Sequence, residues 1–181
     1  MNNLEQITNF INPLYEDNHI IVAVKPPNIP TQADNTGDTS FFENIKDYIK
    51  LKYGKQGNVF LGLVHRLDRP VSGVIVFAKT SKAASRLSEA IRNRNFQKTY
   101  YCVVKGILLE KENTLENYLI KKTNKLGNIA MVVFENTKNA KKAILHYKVL
   151  KEDNIKNLSL LKIELETGRF HQIRVQLSNL G

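Results

Sequence analysis

The second half of the chain constrains the fold most. From Lys98 onward "KTYYCVVKG", "NTLENYLI", "NIAMVVF", "KKAILHYKVL" and "LSLLKIELE" follow one another across short links rich in asparagine and lysine. In the last of these, Leu161, Ile163 and Leu165 alternate with Lys162, Glu164 and Glu166. That period of two puts apolar side chains on one face of a strand and charges on the other. Consecutive strands of this kind, joined by turns, predict a largely antiparallel sheet with one dry face.

The first half alternates strands with helices. "HIIVAVK" (His19 to Lys25) is an apolar run stopped by Pro26 and Pro27, and reads as a buried strand. "KPPNIPTQADNTGDTS" is then a long loop. Ser40 and Glu43 form a capping box, and Phe41, Ile45, Tyr48 and Ile49 recur at helical spacing, so a helix is expected to about Lys52. "VFLGLVH" and "GVIVFAK" read as central strands. Ser81 is expected to cap a helix running to about Asn93, with Ala84, Leu87 and Ile91 on its inner face. Arg86, Arg92 and Arg94 are left for solvent or for phosphate. In "TGRFHQIRVQLSNLG", Ile173, Leu177 and Leu180 predict a short helix beginning near His171, with Gly181 as its stop. These elements predict an α+β fold. With 181 residues, 42% of them hydrophobic, the chain can bury a proper core. Residues 1–13 read as an N-terminal extension and 14–181 as one domain, with room for two lobes.

Charge and cysteine usage narrow the function. Twenty-seven Lys and Arg against 17 acids give a net charge of +10. That excess favours a polyanion, nucleic acid ahead of an anionic membrane. "MNNLEQITNF" lacks the apolar region of a secretory signal, so a cytoplasmic protein is expected. Cys102 is the one cysteine and lies in an apolar run, where a structural thiol outweighs a nucleophile. His19, His65, His146 and His171 show no HExxH pattern, and no metal is expected. There is no GxGxxG and no Walker loop, so no nucleotide cofactor is expected either. A monomer is the default expectation.

Two segments concentrate chemistry. "VHRLDRPVSG" sets Asp68 among His65, Arg66 and Arg69, then fixes the backbone with Pro70 and Gly73. It is either a surface turn tied by ion pairs or a displayed carboxylate kept ionised by neighbouring cations. Near the other end, Gly168, Arg169, His171 and Arg174 would gather donors at a helix start, as an anion site or merely as a basic surface.

Together these segments carry a resemblance. "HRLDRPVSGVIVFAKT", "QKTYYCVVKG" and "TGRFHQIRVQL" resemble, in order and spacing, the sequence blocks of RluA-type RNA pseudouridine synthases. "LYEDNHIIVAVKPPNIP" looks like the family's opening strand and Lys-Pro motif, so the resemblance runs from about Leu14 to Gly181. It implies a mixed, largely antiparallel sheet with packed helices and a catalytic cleft. It also implies a cofactor-independent isomerase acting on uridines of ribosomal or transfer RNA, in which C1'–N1 is cut, uracil turns and C5 joins C1'.

On this resemblance Asp68 matches the catalytic aspartate, as nucleophile or as base. Arg174 matches the arginine that pairs with it, and Tyr100 the tyrosine that stacks on the target base. Arg66 matches the residue that fills the space left by a flipped nucleotide. His65, Arg69, Lys25, Lys98, Arg169 and His171 are candidates for RNA contact or for loop support. Relatives continue past this helix with a segment like "HPIxGDxxYG", so the catalytic module is expected to be incomplete at its C-terminus, and no small N-terminal RNA-binding domain is expected. A glycoside hydrolase would need two facing carboxylates and a metal-dependent nuclease clustered acids. The sequence offers neither. The alternative kept open is a non-catalytic RNA-binding module derived from this fold.

Overall fold

The computed structural model describes residues 3–11, 13–124 and 127–181. The chain divides into two compact units, Met1–Asn93 and Arg94–Gly181. Both combine helices with antiparallel sheet, which is the α+β class expected.

The first unit contains α1 (Asn3–Ile11), β1 (Pro13–Glu16), β2 (Ile20–Lys25), α2 (Phe41–Tyr53), β3 (Gly62–Leu63), β4 (Gly73–Ala78) and α3 (Ser81–Arg92). Its sheet has the order β1-β2-β4-β3, and β2 pairs with β4 from Ile20↔Ala78 to Lys25↔Gly73. Ile21 and Ala23 of β2 and Ile75 and Phe77 of β4 point into one core, which Phe41, Ile45, Tyr48 and Ile49 of α2 cover. The apolar spacing read from the sequence is therefore the buried stripe of α2. Its capping box is formed, and Gly54 ends it in the left-handed conformation (φ 58°).

Three expectations are corrected here. Residues 1–13 are more than an extension, because α1 lies within them and Ile11 is fully buried in the core. "VFLGLVH" is not a central strand: only Gly62 and Leu63 pair, at the sheet edge. Beyond Leu63 the imidazole Nε2 of His65 accepts the Val76 N–H at 3.1 Å, so a side chain takes over where backbone pairing stops. The cap of α3 is Thr80, whose hydroxyl accepts from Ala83 N–H, and Ser81 is the first helical residue. Gly62 lets α3 approach closely, since a Cβ there would lie 2.8 Å from the Cβ of Ala84.

A carboxylate ties three elements of this unit. Glu16, at the end of β1, accepts from Lys52 Nζ (2.6 Å), Tyr48 OH (2.9 Å), Tyr53 OH (2.8 Å) and Lys79 Nζ (2.6 Å). Burial alone would raise its pKa, but the two ammoniums and two phenols outweigh it and hold the group at about 2.

The second unit contains β5 (Lys98–Lys105), β6 (Glu112–Asn124), β7 (Gly127–Val133), β8 (Lys141–Asp153), β9 (Leu158–Leu165) and α4 (Gln172–Ser178). All five predicted strands form, in the order β5-β9-β8-β6-β7. The dry face is the expected one: Leu161 and Ile163 of β9 and Leu145 of β8 are fully buried, and Ile173 and Leu177 of α4 pack on them. Helix α4 is shorter than predicted, since it ends at Ser178 and leaves Leu180 half exposed. Cys102 faces the same core from β5, and burial pushes its thiol up, as suits a structural cysteine.

Glu16→Gln is expected to lower the stability of the protein by about 2–3 kcal/mol at pH 7, because two ammoniums lose their counter-charge. The native pKa of Glu16 is depressed, so its contribution is full above 4.5 and fades as pH falls toward about 2. Urea denaturation of both proteins should show the gap narrowing over that interval.

Candidate active site

Asp68 lies on the connection from β3 to β4, half-buried, in a turn closed by Val71 N–H donating to the carbonyl of Asp68 (3.0 Å). This loop is held from beneath by the loop that follows β2. Thr31, almost fully buried, donates its hydroxyl to Leu67 O (2.7 Å) and accepts the Leu67 N–H (3.2 Å), so one side chain satisfies both backbone groups of the residue before Asp68. Lys25 has no exposed surface. Its ammonium donates to Pro26 O (2.8 Å), Ile29 O (2.7 Å) and Arg69 O (3.1 Å), the last being the residue after Asp68. Burial lowers the Lys25 pKa and the Arg69 charge adds to this, while the carboxylate of Asp68 works the other way. At the loop's end Gly73 adopts φ +154°, and a Cβ there would press on Leu67 at 3.2 Å.

The cations around Asp68 separate into distinct groups. Arg69 forks onto Asp34 (Nη2 to Oδ2 3.0 Å) and Asp38 (Nη1 to Oδ2 2.6 Å), clamping the 34–38 loop. The hydroxyl and amide of Thr36, and then Arg69, hold Asp34 at about 2. Arg66 is exposed and makes no ion pair with the described residues. Of the two roles open to Lys25, RNA contact or loop support, its geometry fits the second, because its ammonium lies under three carbonyls with no exposed surface. Arg69 is committed to its two aspartates.

In the second unit, Tyr100 sits on the inner face of β5 with Cys102 and Val104, packed on the same core as Ile173 and Leu177 of α4. Tyr101 alternates to the outer face and is 66% exposed. Lys98 is half-buried, and its pKa is lowered by burial, then by repulsion from Arg94 and Arg169. Ahead of α4, His171 is in the left-handed conformation (φ 50°) with its ring stacked on Phe170 at 3.8 Å. At this helix start, open to reading as an anion site or as a basic surface, several donors are already engaged. Gln172 Oε1 takes up the Arg169 N–H (2.9 Å) and the Thr167 hydroxyl (2.8 Å), while Arg169 Nε donates to Lys142 O (2.9 Å). One turn on, buried Gln176 donates to Leu115 O at 3.1 Å. Arg174 is exposed, two positions from each of these glutamines.

The family model described as RNA pseudouridylate synthase matches residues 19–179. The chain belongs to that family. It is 33% identical over 168 residues to an uncharacterized RNA pseudouridine synthase of Bacillus subtilis, covering 93% of this chain and 53% of that protein. It is 31% identical to ribosomal large subunit pseudouridine synthase C of Rickettsia prowazekii, over 93% of this chain and 52% of the relative. The chain thus spans about half the length of the curated relatives it matches. Human RNA pseudouridylate synthase domain containing 4 shares the fold, with a TM-score of 0.77 at 23% identity, over 97% of this chain and 66% of that one.

Within this member of the family, Asp68, His65, Arg66, Arg69 and Lys25 gather on or under one loop, and Tyr100, Lys98, Arg169, His171 and Arg174 surround β5 and α4. Sequence reasoning missed Thr31 and the glutamines. A threonine in a polar loop carries no periodic signal, and the spacing of Gln172 and Gln176 does not by itself tell burial from exposure.

Thr31→Val, which keeps the volume and removes the hydroxyl, leaves the N–H and C=O of Leu67 without their partner. A loss of about 1–3 kcal/mol is expected, together with faster hydrogen exchange at the Leu67 amide than at amides of β2, read by NMR.

Proposed function

We propose that this chain is the catalytic portion of a cytoplasmic enzyme that isomerises uridine to pseudouridine in large-subunit ribosomal RNA, without a cofactor. The observation that carries the reading is the Asp68 loop, a half-buried acid whose flanking backbone is held at Leu67 by the buried Thr31 and at Arg69 by the buried Lys25, in a member of this family. Cleavage of C1'–N1 builds positive charge on the ribose, and an ionised carboxylate held in place stabilises or captures it. The pinned backbone supplies that placement before substrate arrives.

Tyr100 is assigned the face on which the target uracil stacks, and Arg174 the guanidinium that orients the reacting carboxylate. A uridine inside a helix is out of reach of such groups, so it must leave the stack, at a cost of a few kcal/mol. Arg66, exposed and without an ion pair among the described residues, is suited to the emptied position, since a flat cation both stacks on bases and meets phosphate. The ribosomal substrate is read from the names of the relatives, and transfer RNA is the competing substrate.

Asp68→Asn is expected to abolish tritium release from RNA labelled at uracil C5 while RNA binding stays within a few-fold. Turnover in that variant overturns the assignment, and RNA binding without turnover by the unaltered chain supports a non-catalytic module instead. Arg66→Ala is expected to slow turnover on a paired uridine more than on an unpaired one, because only the paired base must be flipped; an equal loss on both removes that role.

A further inference from the structure

Strand β6 changes partner part-way along, pairing with β8 up to Leu119↔Lys141 and with β7 from Tyr118↔Val133 onward. At this junction lies a cavity of 330 Å³ whose lining includes Lys121, Lys141, Arg169 and Phe170 and no carboxylate. Its volume falls in the lower part of the range of small-ligand sites, roughly 300–1,000 Å³.

Some cations of this unit are neutralised by described acids and others, Lys98, Lys105, Lys122 and Lys151 among them, are not; the cavity brings three of the unneutralised ones together. Lys111, Lys142, Lys148 and Lys162 are each paired with a glutamate, Glu152, Glu116, Glu112 and Glu164 in turn. Lys121, Lys141 and Arg169 have no ion pair with any described residue. Two of the three are also held in place. Lys121 Nζ stands 4.9 Å from the centre of the Phe170 ring, whose position is fixed in turn by stacking on His171. Arg169 is fastened by its Nε to Lys142 O and by its backbone N–H to Gln172, which leaves the two terminal nitrogens of the guanidinium to donate elsewhere. Cations positioned without an acid to neutralise them meet the requirements of a tetrahedral oxyanion.

We propose that this cavity binds a backbone phosphodiester of the RNA outside the reacting nucleotide, with Lys121, Lys141 and Arg169 as the contacting groups and Phe170 as the platform that positions Lys121. The inference rests on the RNA-binding part of the proposed function. It adds a place and a chemistry for a contact that reads no sequence and fixes the register of the RNA on the protein.

The test is fluorescence anisotropy of a fluorescein-labelled fragment of large-subunit ribosomal RNA over a series of potassium chloride concentrations. Lys121→Ala, Lys141→Ala and Arg169→Ala are compared with Lys156→Ala, an exposed lysine in the β8–β9 turn. Each cavity variant should weaken binding several-fold whatever the RNA sequence and reduce the salt slope by about 1, and the triple variant by about 3. Phe170→Leu should weaken binding when Lys121 is present and have no further effect in Lys121→Ala. An unchanged slope in the triple variant, or an equal loss in Lys156→Ala, overturns the proposal. So does calorimetric binding of inorganic phosphate alone at micromolar concentration, which would make this a free-phosphate site. Tritium release by the unaltered chain separates the two ideas: release with slopes unchanged in the variants sinks only the cavity, no release with altered slopes sinks only the isomerase, and no RNA binding at all sinks both.

Discussion

An ammonium with no access to water can stay in a folded protein only if each of its protons meets an acceptor. Lys25 meets this condition with three carbonyls, and the third belongs to Arg69, adjoining the candidate catalytic acid. The rest of the first unit's functional architecture follows from that constraint. The carbonyls of Pro26 and Ile29 fix the start of the loop after β2, and Thr31 in that loop then reaches both backbone groups of Leu67. Asp68 is bracketed at Leu67 and Arg69 by groups that are themselves buried. A carboxylate needed at one place beside a sugar gains more from such bracketing than from neighbouring surface charges, because charges act at a distance without fixing position.

The sequence and the structure agree where apolar periodicity decides the outcome. The five strands of the second unit and the stripe Phe41, Ile45, Tyr48, Ile49 were legible because burial on one face imposes a repeat of two or 3.6 residues. "VFLGLVH" misled because apolar content does not say whether a backbone partner exists, and His65 supplies by its ring the acceptor that a longer β3 would have supplied. Helix α1 is only nine residues long, and the helical spacing of Leu4, Ile7 and Ile11 is passed over when its polar start alone is weighed. At the site, the blocks holding Asp68, Tyr100 and Arg174 were legible through their resemblance to a family. Lys25 was legible only as one of two roles, and Thr31, Gln172 and Gln176 not at all, because these are polar residues whose burial only tertiary structure determines.

Charge repeats that lesson. The sequence shows an excess of ten positive charges and no arrangement. In the structure some of the cations are balanced: Lys52 and Lys79 on Glu16, Arg69 on Asp34 and Asp38, four lysines of the second unit on four glutamates. A pair of that kind at the surface contributes little to stability and cancels its own field beyond a few ångströms. The attraction for a polyanion therefore comes from the cations left over, among them Arg66 and the three that line one cavity, Lys121, Lys141 and Arg169.

Helix α4 shows why buried polar groups are useful in such a scaffold. Seven residues are too few to be stable alone, and Ile173 and Leu177 would pack almost as well if the helix slid or rotated slightly. Gln172 and Gln176 remove that freedom, because their amides must meet Ile144 O, Thr167, Leu115 O and Ala143 O at hydrogen-bonding distance. A hydrophobic pair in their place could match the burial without setting the register, whereas an amide displaced by even an ångström loses its partners and stays buried. The orientation of Arg174 on the exposed side and the anchoring of Arg169 at the helix start are both consequences of this register.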